Sequence, residues 1–196
     1  MSLIAEHPLW YLNRGSGMVL TVVLTLSVAL GVLATARSGS AAWPRYATQA
    51  LHRSVSLMAA VLLVVHAGAA VVDTYVSGFV RITPVDAVVP FLSSYQPLWL
   101  GVGTLASDIV VAVGVTSVLR HRLSHRTWRV VHLSSYLGWL LGLAHGWMIG
   151  SDVRTAWGLA VLVGCLGAVG AATVVRVGTY RQERLLDRSD GAEAGR

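Results

Sequence analysis

The stretch SVSLMAAVLLVVHAGAAVV, residues 54–72, carries no charge along nineteen positions. As a helix it would be about 28 Å long, which matches the hydrocarbon core of a bilayer. Runs of the same kind recur along the chain. They define span A over residues 17–36, span B around the quoted stretch, span C over 98–119, span D over 127–149 and span E over 155–175. The helix of span B is expected to begin just after Pro44, because proline suits a helix start. The fold class expected is therefore an all-α integral membrane protein, a bundle of five transmembrane helices. Composition agrees. Of 196 residues, 55% are apolar and 12% charged, with a mean hydropathy of +0.64, whereas a soluble domain carries about 25% charged residues. Span A is longer than the apolar region of a secretory signal, and only Arg14 and Glu6 precede it, so it is expected to be retained.

All fifteen basic residues are arginines, which excludes a lysine Schiff base or lysine nucleophile. Cys165 stands alone, which excludes a disulfide framework, a four-cysteine iron–sulfur cluster and a thiolate zinc site. The net charge of +6 does not indicate nucleic acid, because the arginines lie between apolar spans, where orienting the chain in a membrane explains them. Arg37, Arg45 and Arg53 lie between A and B, Arg120, Arg122, Arg126 and Arg129 between C and D, and Arg176, Arg181, Arg184 and Arg188 after E. The other three connections carry one arginine each: Arg14, Arg81 and Arg154. The positive-inside rule then gives a multi-pass protein of the cell membrane with its N-terminus outside and its C-terminus cytoplasmic. Spans B and D run parallel, from the inside outwards. Residues 1–180 form one membrane domain, and 181–196 a polar cytoplasmic tail expected to fray. Six tryptophans (Trp10, Trp43, Trp99, Trp128, Trp147 and Trp157) fall near span ends, as interfacial anchors do, whereas Trp139 lies near the middle of D.

Four of the seven histidines lie in B and D: His52 and His66 in the first, His132 and His145 in the second. An imidazole facing lipid is costly, so it faces the bundle and does something there. Spacings of fourteen and thirteen residues correspond to about 21 and 19.5 Å along a helix. On parallel helices His52 is then level with His132, and His66 with His145. Facing imidazoles at two depths are how a helical bundle grips two haem irons, each on both axial sides. The angles fit unequally. Fourteen residues fall about 40° short of four turns, but thirteen fall about 140° short. Helix D therefore needs either a local unwinding, expected near Gly138 and Gly142, or haems approached from different sides.

This spacing, together with VPFLSSYQPLWLGVGTLASD (89–108), TSVLRHRL (116–123), RTWRVVHLSSYLGW (126–139) and LAHGW (143–147), resembles the ferric reductase-like transmembrane domain family. That family includes ferric reductases, NADPH oxidases and the haem subunit of the bacterial methionine sulfoxide reductase system. The likeness runs from about Trp10 to Asp152 and is strongest to short bacterial members. It implies two b haems stacked between the second and fourth spans, with His52 and His132 as axial ligands of the inner iron and His66 and His145 of the outer. Oxidases of the family add a leading span and a cytoplasmic FAD/NADPH domain. The residues after span E are too few for either nucleotide, so no FAD or NAD(P) site is expected in this chain. Electrons would come from a separate flavoprotein or from quinone. These oxidases also place an aromatic between the haems, six residues after the first ligand of the second helix. Gly138 occupies that position here, and Trp139, one residue on, is the candidate.

Haem propionates attract arginine, and Arg53 and Arg129, beside His52 and His132, are the candidates at the inner face. Arg126 also flanks the inner pair, and Arg81 and Arg154 lie outside. Asp108, the one carboxylate within a span, is expected to bond the Thr104 hydroxyl. Tyr95, Gln96 and Trp99 lie where an outside partner would dock. His121 and His125, four apart amid arginines, read as a solvated basic loop. The expected function is one-electron transfer across the membrane as the haem subunit of a two-component redox system. The alternatives are a self-contained quinone or superoxide oxidoreductase and a divalent-metal permease, the latter short of carboxylate ligands.

Overall fold

A computed structural model describes residues 7–35, 45–73 and 81–194. Arg37 and Trp43, assigned above to a loop and an interface, lie outside the described residues. The described residues form helices and connecting turns with no strand. Helix α1 spans Pro8–Ala34, α2 Arg45–Val72, α3 Pro97–Val118, α4 His125–Leu133, α5 Ser135–Ile149 and α6 Ala156–Ala194, and a 3-10 turn at Arg120–Arg122 precedes α4. Prolines open α1 and α3, where a missing N–H costs nothing. Helices α1, α2, α3 and α6 each contain a segment long and apolar enough to cross a membrane. Apolar side chains such as Val61, Val64, Val111, Val163 and Val174 are exposed on the outside. Inside, hydroxyls such as those of Thr21, Thr25 and Ser56 bond carbonyls one turn back in their own helices, which satisfies them where no water is at hand. This is the build of a multi-pass membrane protein.

One expectation is corrected. Span D is not one helix with a loosened stretch at Gly138 and Gly142; it is α4 and α5, nine and fifteen residues long, divided at Ser134. The Ser134 hydroxyl donates to the Val131 carbonyl at 2.6 Å, and the Ser134 N–H is shared between the Val131 carbonyl at 3.1 Å and the Val130 carbonyl at 3.3 Å. Such i to i−3 bonding is the tighter 3-10 winding, and the side chain competes for an acceptor the helix ladder would use. Helix α6 continues past Arg181 to Ala194, because RQERLLDR consists mainly of straight-chain helix formers.

Helix α1 is the hub of the bundle. It packs along α2 and against α5 and α6, while α3 packs on α4 and α5. Val28, Trp139, Leu143, Cys165 and Val169 form one core where α1, α5 and α6 meet, and Val23, Val55 and Ala59 form another between α1 and α2. Arg14 on α1 grips Asp152 after α5 with two hydrogen bonds, the Nε contact at 2.8 Å. By contrast, the backbones of α2 and α4–α5 hardly approach one another. The loop before α3 seats on that helix through Gly101, where a Cβ would strike the backbone of Phe91. Phe91 itself adopts φ 67, an uncommon conformation for a bulky side chain.

Candidate functional site: two facing histidine pairs

The gap between α2 and α4–α5 is bridged by imidazoles. His52 of α2 faces His132 of α4 with ring centroids 6.2 Å apart and planes at 79°. Fourteen residues further along α2, His66 faces His145 of α5 at 6.4 Å and 83°. The helices that carry them therefore run in the same direction. The tightened winding at Ser134 advances the chain more than the usual 100° per residue, which makes up part of the angular shortfall of a thirteen-residue spacing.

Three of the four rings are held from behind in one manner. His66 Nδ1 lies 3.0 Å from the Asn13 carbonyl, His52 Nδ1 2.9 Å from the Ser27 carbonyl, and His145 Nδ1 2.9 Å from the Trp99 carbonyl. A carbonyl only accepts, so each Nδ1 carries the proton, and the free lone pair is on Nε2. Each of these carbonyls lies four residues before a helical glycine. A Cβ on Gly17 would come within 2.8 Å of the His66 ring, one on Gly31 within 3.3 Å of His52, and one on Gly103 would collide with His145. The glycines are notches that let an imidazole lie against a neighbouring helix and reach its backbone. Helix α1 thus backs the histidines of α2, and α3 backs His145.

His132 departs from the pattern. The position fourteen residues beyond Gly103 is Ser117, whose hydroxyl lies 3.5 Å from His132 Nδ1, beyond the usual range of such a bond. The other face of the ring stacks on Trp128, one turn back on α4, with centroids 4.9 Å apart and planes at 22°. Arg120 sits over the far side of that indole, 5.7 Å from its centroid.

Sequence reasoning named the four histidines but not Gly17, Gly31, Gly103 or Ser117. A signal existed, because Gly17 and Gly31 repeat the fourteen-residue interval of His52 and His66. Other expected residues are placed as follows. Arg53 and Arg129 are exposed, one near each inner histidine in sequence. Trp139 is 6% exposed in the core shared with α1 and α6, and its indole N–H donates to the Thr25 hydroxyl at 2.9 Å. Asp108 is half-buried on α3, but the Thr104 hydroxyl expected to bond it donates instead to the Asp86 carbonyl at 2.8 Å. The docked loop supplies that nearer acceptor. Tyr95 and Trp99 are half-buried and Gln96 exposed at the start of α3. His121 and His125 lie on different elements, the 3-10 turn and α4, both exposed. Among the described residues no group of three His, Cys, Asp or Glu side chains converges on a metal-sized site.

The family model for a domain of unknown function, DUF8596, matches residues 8–152. The chain belongs to that family. No curated protein matches it, and no solved structure does. In this DUF8596 member the matched stretch contains all four paired histidines, the three notch glycines, Ser117 and both sides of the Arg14–Asp152 pair.

Proposed function

We propose that this protein carries single electrons across the membrane through two bis-histidine b haems, as the haem subunit of a ferric reductase-like system supplied by a separate flavoprotein or by quinone. The observation that carries the reading is the pair of facing imidazole couples at two depths between helices that otherwise hardly touch. An imidazole–metal bond is about 2.0 Å and the ring nitrogen lies about 1.1 Å from the centroid, so two rings on opposite sides of one metal have centroids about 6.2 Å apart. The observed 6.2 and 6.4 Å fit. The donor set fits as well. A bare structural ion would ask for three or four protein ligands, whereas a haem iron takes four nitrogens from its own ring and needs only two along one axis. Gly142, three residues before His145, has nothing within 4 Å of where a Cβ would sit, so no side chain fills that position.

Such an iron supplies reversible one-electron transfer at a potential set by its ligands and their hydrogen bonds. The chain's own residues do the rest. His52, His66, His132 and His145 would offer Nε2 to the irons. The Ser27, Asn13 and Trp99 carbonyls hold the Nδ1 protons, fix ring orientation and raise ligand basicity. The apolar faces of α1, α3 and α5 exclude water. Arg53 and Arg129 are suited by charge and exposure to meet propionates at the inner face. On this reading α4 and α5 together make the fifth crossing, with the N-terminus outside and the C-terminus in the cytoplasm of a cell-membrane protein.

The test is a dithionite-reduced minus oxidised spectrum of the purified protein with a pyridine haemochrome assay. Sharp b-type bands and two haems per chain are expected. Protein that folds and carries no b-type haem after expression with haem in supply overturns the reading.

A further inference from the structure

Resting on that reading, we infer that His132 is the exchangeable ligand, so that the inner site opens to a small neutral diatomic while the outer stays closed. Two independent features single it out. The first is what holds each ring from behind. His52, His66 and His145 each donate Nδ1–H to a main-chain carbonyl at 2.9–3.0 Å through a glycine notch. At the fourth position of the pattern the notch is filled, because Ser117 stands where the repeat of Gly103 would be a glycine. The hydroxyl there is 3.5 Å away, too far to hold the Nδ1 proton as the three carbonyls do. An imidazole without a strong acceptor on Nδ1 is the less basic ligand, and loss of such outer-shell bonds weakens metal binding by about 10–100-fold.

The second feature is the backbone. His52 and His66 lie within the twenty-eight residues of α2, and His145 lies within α5, whereas His132 is the last residue but one of a nine-residue helix that ends at the Ser134 break. The ring is stacked on Trp128, which belongs to the same short helix. Imidazole and indole therefore both belong to the short α4, at the end that meets the Ser134 turn. On a bound iron, His132 would withdraw its Nε2 lone pair and leave room for one neutral two-electron donor, with no electron or proton transferred.

Carbon monoxide is the probe. In the dithionite-reduced full chain, about half of the haem, one site of two, should shift on adding it, since a six-coordinate iron binds it only by releasing a ligand. The double variant His66→Ala/His145→Ala, which removes both outer ligands, should keep the response in its remaining haem. Ser117→Gly reopens the fourth notch and should weaken carbon monoxide binding at least several-fold with both haems retained. Normal b-type bands without a carbon monoxide response overturn the inference and leave the electron-transfer reading standing. A response lost in the double variant, or unchanged in Ser117→Gly, also overturns it. Absence of haem overturns both.

Discussion

Gly17→Ala isolates the notch from the ligand it serves. The added methyl would sit 2.8 Å from His66 Cε1 and 2.9 Å from its Nδ1, whereas carbon atoms in comfortable contact stand about 3.5 Å apart. The imidazole must therefore retreat by about 0.7 Å. Its Nδ1 bond to the Asn13 carbonyl, 3.0 Å in the native protein, then stretches to roughly 3.5 Å, outside the working range. Losing such a bond behind a metal ligand costs about 10–100-fold in affinity, or about 1.4–2.7 kcal/mol. The same substitution favours the helix itself by about 1 kcal/mol, since alanine outranks glycine in helix propensity. The two effects part company. On the two-haem reading, the haem-free protein should melt no lower than wild type, while outer-haem release to an excess of apo-globin should accelerate about 10-fold or more. Gly15→Ala is the control, because nothing lies within 4 Å of its added methyl. If Gly17→Ala released haem at the rate of Gly15→Ala, the account of the notch would be wrong.

On the two-haem reading, replacing His66 should abolish the outer haem and leave the inner, and replacing His52 the reverse, read as halved pyridine haemochrome; members of one facing pair that affected different haems would refute the pairing. Trp139→Ala should open a cavity in the α1–α5–α6 core and destabilise by about 3–5 kcal/mol, seen as a lower melting temperature in detergent. Trp139→Phe should recover most of that loss and forgo only the indole hydrogen bond to Thr25, whose hydroxyl keeps its bond to the Thr21 carbonyl, about 1 kcal/mol. On the electron-transfer reading Trp139→Ala also slows transfer between the haems, and unchanged transient kinetics with both haems bound would assign the indole to packing alone. Arg14→Gln should cost about 1 kcal/mol or less, because Arg14 and Asp152 are 30% and 19% exposed; a double-mutant cycle with Asp152→Asn measures the coupling.

The elements most legible in the sequence were those governed by one-dimensional rules. Apolar length and proline position marked α1, α2 and α3 to within a few residues at most ends, although α1 begins at Pro8, well before the uncharged run of span A. Histidine spacing marked which rings could share a depth. What the sequence left open depended on neighbours brought from afar. Ser134 breaks the fourth span because its hydroxyl turns onto Val131, a choice that a serine in a helical pattern does not announce, and the glycines at 138 and 142 were the more conspicuous suspects. The partner of Thr104 is a loop carbonyl eighteen residues away in sequence, invisible to any rule about one turn of helix. Gly17 looked like an ordinary span boundary until the imidazole of His66 was seen lying on it.

The sparse contact between α2 and α4–α5 has a consequence for how the protein is made. Helix α2 is joined to the rest chiefly through α1, and α3 with α4 and α5 forms a second unit that meets α1 mainly through α5. Each unit can assemble as it leaves the ribosome, because its close contacts are between sequence neighbours. On the two-haem reading the prosthetic groups join these two units, so a chain completed without them has two walls and no mortar. Whatever binds there adds its own binding free energy to the folded state by mass action, about 2.7 kcal/mol at a hundredfold excess over Kd. Proteolytic turnover tracks the population of open states. The amount of this protein in a cell would then follow the supply of its cofactor, with abundance regulated after synthesis by the survival of loaded chains.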